Sequence, residues 1–140
     1  MGVLAVAWAG RAAEISQSFQ LTVTINPEVQ VSLSAPSVQI SNAGSGQQAG
    51  LTVLLKANAP WSLTLTPDAS AVASLPAGSV DWRLDQGAWQ GLSSGLSTSG
   101  GDPTGDSGRQ FSVEFVYRPS FGHRAGTYSV PFAVTASATL

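Results

Sequence analysis

The sequence predicts an all-β fold, an immunoglobulin-like antiparallel β-sandwich of about eight or nine strands, and three observations carry that prediction. From Phe19 onward apolar and polar residues take turns with period two, and no stretch sustains the 3.6-residue period of an amphipathic helix. The alternating runs are short and end at Gly, Pro, Asn or Asp, the residues of turns. The runs mostly alternate instead of being apolar throughout, which disfavours a parallel sheet buried on both faces. An open barrel or a jelly roll is the alternative architecture.

The pattern is clearest in residues 50–66, GLTVLLKANAPWSLTLT. Leu51, Val53 and Leu55 share one face; after Asn58-Ala59-Pro60, Trp61, Leu63 and Leu65 do the same, with Ser62, Thr64 and Thr66 opposite. Pro60 cannot donate to a ladder, so it suits a turn or the first position of a strand. Strand, corner, strand is the reading, with the core built against Trp61 because it brings the largest apolar side chain.

The other elements follow in order. Residues 1–13, MGVLAVAWAGRAA, read as a signal-peptide remnant or leader, with an apolar run and an A-x-A-like Ala7-Trp8-Ala9 but no basic start, so the domain proper is residues 14–140. This run is too short for a membrane-spanning helix, which needs about 20 apolar residues. Phe19, Leu21, Val23 and Ile25 alternate with Gln20, Thr22 and Thr24 and predict a strand with one wet face. Val29, Val31 and Leu33 predict a second strand, and Val38 and Ile40 a short third. Residues 67–78 hold space for one helical turn. Val80, Trp82 and Leu84 predict a strand that turns at Asp85-Gln86-Gly87 and returns through Trp89 and Leu92. Residues 93–108, SSGLSTSGGDPTGDSG, lack the apolar surface to offset ordering entropy and predict a mobile surface loop. Phe111, Val113, Phe115 and Tyr117 form the next strand; Tyr128, Val130, Phe132 and Val134 start the last, where Pro131 predicts an edge position or a bulge.

Composition narrows function. The 140 residues suit one domain, and only 10% are charged, against about 25% in ordinary soluble domains. The surface is therefore hydroxyl-rich. With a net charge of −2 and Lys56 the only lysine, the chain has no basic field to gather phosphates, so nucleic acid is not an expected partner. Without cysteine there is no disulfide, thiolate nucleophile or thiolate metal site.

No catalytic motif occurs among the G-x-S-x-G, H-E-x-x-H and phosphate-loop patterns. His123 is the only histidine and lies in a loop, so the chain reads as non-enzymatic, with no cofactor. Three residues are candidate ligand contacts. Asp102 and Asp106 can offer carboxylates to calcium, although the spacing does not match an EF-hand, and a solvated loop rich in turn formers is the preferred reading of the same residues. Trp89, beside Gly87-Ala88, is the tryptophan expected to be partly exposed and able to stack on a sugar ring, whereas Trp61 and Trp82 sit in phase with core residues. Asp81, Arg83 and Asp85 share a strand face and predict an exposed ion-pair ladder. Gly126-Thr127-Tyr128 resembles the entry to a late sandwich strand in which a tyrosine hydroxyl bonds nearby backbone.

Ala59-Pro60-Trp61-Ser62-Leu63 resembles the first Trp-x-Leu motif of the WxL cell-wall-binding domains of bacterial surface proteins, and Ala125-Gly126-Thr127-Tyr128 resembles the approach to their second. At the place of that second motif stands Val134-Thr135-Ala136. The family implies peptidoglycan binding. More broadly the chain resembles pilin-like and coat-like sandwiches of bacterial surfaces, some of which polymerise by donating a strand. The resemblance implies a secreted or cell-surface structural or adhesive subunit; a cell-wall glycan or carbohydrate-binding module is the alternative. Self-association would run through a sheet edge or through residues 18–25, which alternate and carry no charge.

Overall fold

A computed structural model describes residues 13–140, so the leader expected over residues 1–13 lies, apart from Ala13, outside the described residues. Among these residues are eight strands, one α-helix and a short 3-10 turn (Gly44–Gln47): β1 (Val29–Leu33), β2 (Gln48–Ala57), β3 (Trp61–Pro67), α1 (Ala69–Ser74), β4 (Val80–Leu84), β5 (Gln90–Gly91), β6 (Leu96–Gly100), β7 (Arg109–Tyr117) and β8 (Phe132–Ala138). They form two antiparallel sheets, five strands in the order β1-β2-β7-β4-β5 and three in the order β6-β3-β8. This is the predicted β-sandwich.

The alternation in the sequence becomes the inner faces of the two sheets. Val53 and Leu55 of β2, Leu63 and Leu65 of β3, and Phe111 and Val113 of β7 are buried together. Outward residues of β3 and β8 face each other as hydroxyls; Ser62 and Ser137 share a 2.7 Å hydrogen bond. Trp61 is buried edge-on to Phe111, with ring centroids 5.7 Å apart. The most enclosed aromatic is Trp82, whose ring lies 5.8 Å from Phe115 and 5.2 Å from Phe132. Its Nε1–H donates to the Ser94 carbonyl at 3.0 Å, so the indole reaches from β4 to the approach to β6. Burying an indole without such an acceptor would leave its one polar group unpaired.

The corner at residues 58–60 is as expected, and Asn58 fixes what precedes β1. Its Oδ1 accepts from Glu28 N–H at 2.7 Å and its Nδ2 donates to the Asn26 carbonyl at 3.0 Å. The helical turn after β3 is capped by Asp68, whose carboxylate accepts from the Ser70 hydroxyl at 2.8 Å and from Ala71 N–H at 3.0 Å. These two bonds hold its carboxyl below the ordinary carboxylate value.

Several expectations need correction. Residues 19–25 belong to no strand, because no described residue offers them a ladder partner. Val38 and Ile40 pack against the core without a strand; Ser34 N–H still donates to Thr52 O, and Pro36 follows. The return strand after the β4 turn is only Gln90–Gly91. The predicted loop over residues 93–108 contains β6, which pairs with β3 and drops Leu96 into the core. Its remainder is pinned by Thr104, whose N–H donates to Ala57 O and whose Oγ1 accepts from Ala57 N–H, both at 2.9 Å. Low apolar content misled there because a backbone ladder needs only one anchoring side chain. Tyr128 and Val130 precede the last strand; β8 is at an edge, as Pro131 predicted.

Gly100 sits opposite Trp61, and a Cβ there would come within 2.6 Å of the indole ring. Gly100→Val therefore overpacks the β3–β6 contact and lowers stability by about 1–3 kcal/mol, read as a lower urea midpoint with an unchanged slope.

Candidate functional site

Two surfaces stand out, one bearing Trp89 and the other a row of exposed apolar side chains. The first is the outer face of the larger sheet. With Phe115 and Trp82 inward, the neighbouring Glu114 and Arg83 must point outward, and the β4–β7 register sets them opposite each other. Glu114 accepts from Arg83 Nε at 3.2 Å, from Gln86 Nε2 at 2.8 Å and from Gln48 Nε2 at 3.0 Å. The Arg83 guanidinium lies 4.3 Å from the centroid of the Trp89 ring. The carboxylate is thus satisfied by three donors and one indole face is occupied by a cation.

The turn that carries Trp89 is locally strained. Asp85 and Gln86 take φ of 50° and 63°, a region non-glycine residues visit at a cost. Asp85 offsets it by accepting Ser112 N–H at 2.8 Å while its own N–H donates to Ser112 O at 2.9 Å. The predicted Asp81, Arg83 and Asp85 ladder does not form among the three. Arg83 turns to Glu114 and Asp81 pairs with Arg118 at 2.7 Å, because oppositely charged residues on β7 and just after it lie closer than i±2 neighbours along β4.

Asp102 and Asp106 are exposed on the connection into β7, at the end of the sandwich where Thr104 meets Ala57. The structure does not join them to Trp89, which packs on Arg83 opposite the middle of β7. Among the described residues no group of three His, Cys, Asp or Glu side chains is placed to hold a metal ion. His123 Nδ1 and Tyr117 Oη are 3.0 Å apart, and no carboxylate or serine hydroxyl bonds the imidazole among the described residues. Tyr128 donates to the Arg124 carbonyl at 2.7 Å, the backbone-bonding corner that Gly126-Thr127-Tyr128 suggested.

The second surface is the arm ahead of β1. Phe19, Leu21, Val23 and Ile25 are 91%, 77%, 67% and 71% exposed, and residues 13–25 make no hydrogen bond among the described residues. In extended backbone these four side chains fall on one side and Gln20, Thr22 and Thr24 on the other. An apolar row of this length in water is far from the scattered single residues of ordinary surfaces. The sequence showed the row; Asn58, which secures its root, carried no signal beyond its place before Pro60.

The fold and these surfaces define an antiparallel two-sheet sandwich bearing an apolar arm that pairs with none of the described residues. Searches against protein-family models, curated proteins and solved structures found no match to this chain. No helix among the described residues is long and apolar enough to cross a membrane.

Proposed function

We propose that this chain is an exported bacterial surface protein, a pilin-like or coat-like structural subunit without enzymatic activity, that joins copies of itself by strand addition. The observation that carries the reading is the arm, a seven-residue alternating row left in water with every backbone group unpaired by the described residues. Such a segment has the chemistry of an added strand: main-chain hydrogen bonds supply affinity and alternate side chains enter a core. The low charge and the hydroxyl rows on the outer face of the smaller sheet support a surface role. The glycan alternative draws on Trp89, one face of which is already covered by Arg83.

Deleting residues 14–26 tests the reading. Light scattering of the full chain should show assemblies that grow with concentration, and the shortened chain should stay monomeric, with a thermal midpoint below that of the dilute full chain by no more than the loss of the Asn58–Asn26 hydrogen bond entails. Assemblies that persist after the deletion would reject the arm as donor.

A further inference from the structure

The sandwich is sealed along one side and open along the other. At the β5–β6 side the inward leucines are enclosed, with Leu92 5% and Leu96 4% exposed. At the opposite side, β1 and β8 are the free edges of their sheets and approach each other. There the inward residues stay wet: Val31 is 38%, Leu33 44% and Phe132 37% exposed. Yet Val31 and Leu33 pair with Leu55 and Val53 of β2, both at 0%. The unequal sheets explain this. Five strands face three, so the inner face of β1 has no complete strand across from it, and Val38 and Ile40 pack on the core without closing the gap.

We propose that this seam between β1 and β8 accepts residues 19–25 of a second copy, which pair with the free edge of β8 as a fourth strand of the smaller sheet. The inference rests on the assembly reading above and adds where the donated strand goes. Three features fit this occupant. Residues 19–25 cover the same seven positions as β8. Residues 15–26, β1 and β8 contain no charged side chain, so closing the seam strands no ion away from water. With Phe19, Leu21, Val23 and Ile25 turned inward over Val31 and Leu33, the opposite side presents Thr22 and Thr24. Those hydroxyls extend the outer rows already formed by Ser62 with Ser137 and Thr64 with Thr135.

Among the described residues the arm makes no hydrogen bond to its own β8, whose outer edge stays free, so the arm of another molecule is the donor. The other free edges fit less well. β5 has two residues, and a strand beside β6 would cover leucines that are already dry. Each copy offers one arm and one seam of different shape, a heterologous contact that closes into rings or continues as filaments.

Hydrogen–deuterium exchange on the full chain, dilute and assembled, tests the assignment. Assembly should slow exchange roughly tenfold or more in residues 19–25 and in β8, with β6 unchanged. A synthetic peptide of residues 17–27 added to the dilute chain should give the same β8 protection. Leu33→Glu should abolish peptide uptake and assembly, while Ser97→Glu on the outer face of β6 should leave both intact. Protection appearing at β6, or only at β1, with assembly intact would overturn the seam and leave strand donation standing. A full chain that stays monomeric and takes up no peptide would overturn both.

Discussion

Replacing Leu21 and Val23 together with aspartate leaves the protein monomeric at concentrations where the unaltered chain assembles, whereas aspartates at Thr22 and Thr24 reduce assembly only slightly. The two pairs differ only in which side of the extended arm they occupy, so the comparison reads period two directly. Fully burying an aliphatic side chain is worth about 1.5–3 kcal/mol, so losing two of four inward residues removes about 3–6 kcal/mol before the carboxylates' desolvation is counted. At about 1.4 kcal/mol per tenfold, that weakens association by roughly 10²–10⁴. Association itself costs at least about 4 kcal/mol in lost freedom of motion, so an interface built on four side chains and a ladder has little surplus to lose. Sedimentation across a concentration series measures the effect. At dilutions where the parent is itself monomeric, both variants should keep its thermal midpoint, because the arm makes no hydrogen bond to the body of the sandwich among the described residues. Equal loss of assembly in the two variants would mean that the arm's charge matters, not its apolar side.

Period two gave the body of the fold because an inward position in a sandwich admits little but apolar side chains. Val53, Leu55, Leu63, Phe111 and Val113 were legible for that reason. The same signal placed a strand at residues 19–25, where the structure has none, because alternation is silent about the partner. Alternation says that one side of a segment favours an oily layer; it cannot say which molecule supplies the neighbouring ladder. β6 shows the converse. Leu96 is its one buried side chain, and the glycines and hydroxyls around it resemble a loop because strand pairing is a property of the backbone.

The candidate sites were less legible, since a site depends on what the fold brings together. Trp89 was expected to be partly exposed and is, but its cover by Arg83 arises from a turn whose positive φ values sit on Asp85 and Gln86, not on the adjacent glycine. Glu114 gave no sequence signal as the hub of that cluster, because its partners come from β2, from β4 and from the turn after β4. The seam was hidden more completely. Val31 and Leu33 look like any inward pair in the sequence, and only the count of strands in the two sheets leaves them wet.

Trp82→Ala has the largest expected effect on stability, about 3–5 kcal/mol, as a large side chain lost from a fully enclosed site that cannot collapse. A domain of this kind has roughly 5–15 kcal/mol in all, so the variant forfeits between a fifth and the whole of it. The site resists collapse because its neighbours belong to different layers: Phe115 stands on the larger sheet and Phe132 on the smaller. Trp82→Phe separates packing from hydrogen bonding. It keeps a ring against both phenylalanines and orphans the Ser94 carbonyl, for about 1–3 kcal/mol, so its urea midpoint should fall between those of the parent and the alanine variant. Trp89→Ala, which loses mainly the Arg83 contact, should cost about 1 kcal/mol or less. An alanine series in which Trp89 outranked Trp82 would place the stabilising centre on the outer face of the larger sheet and not between the layers.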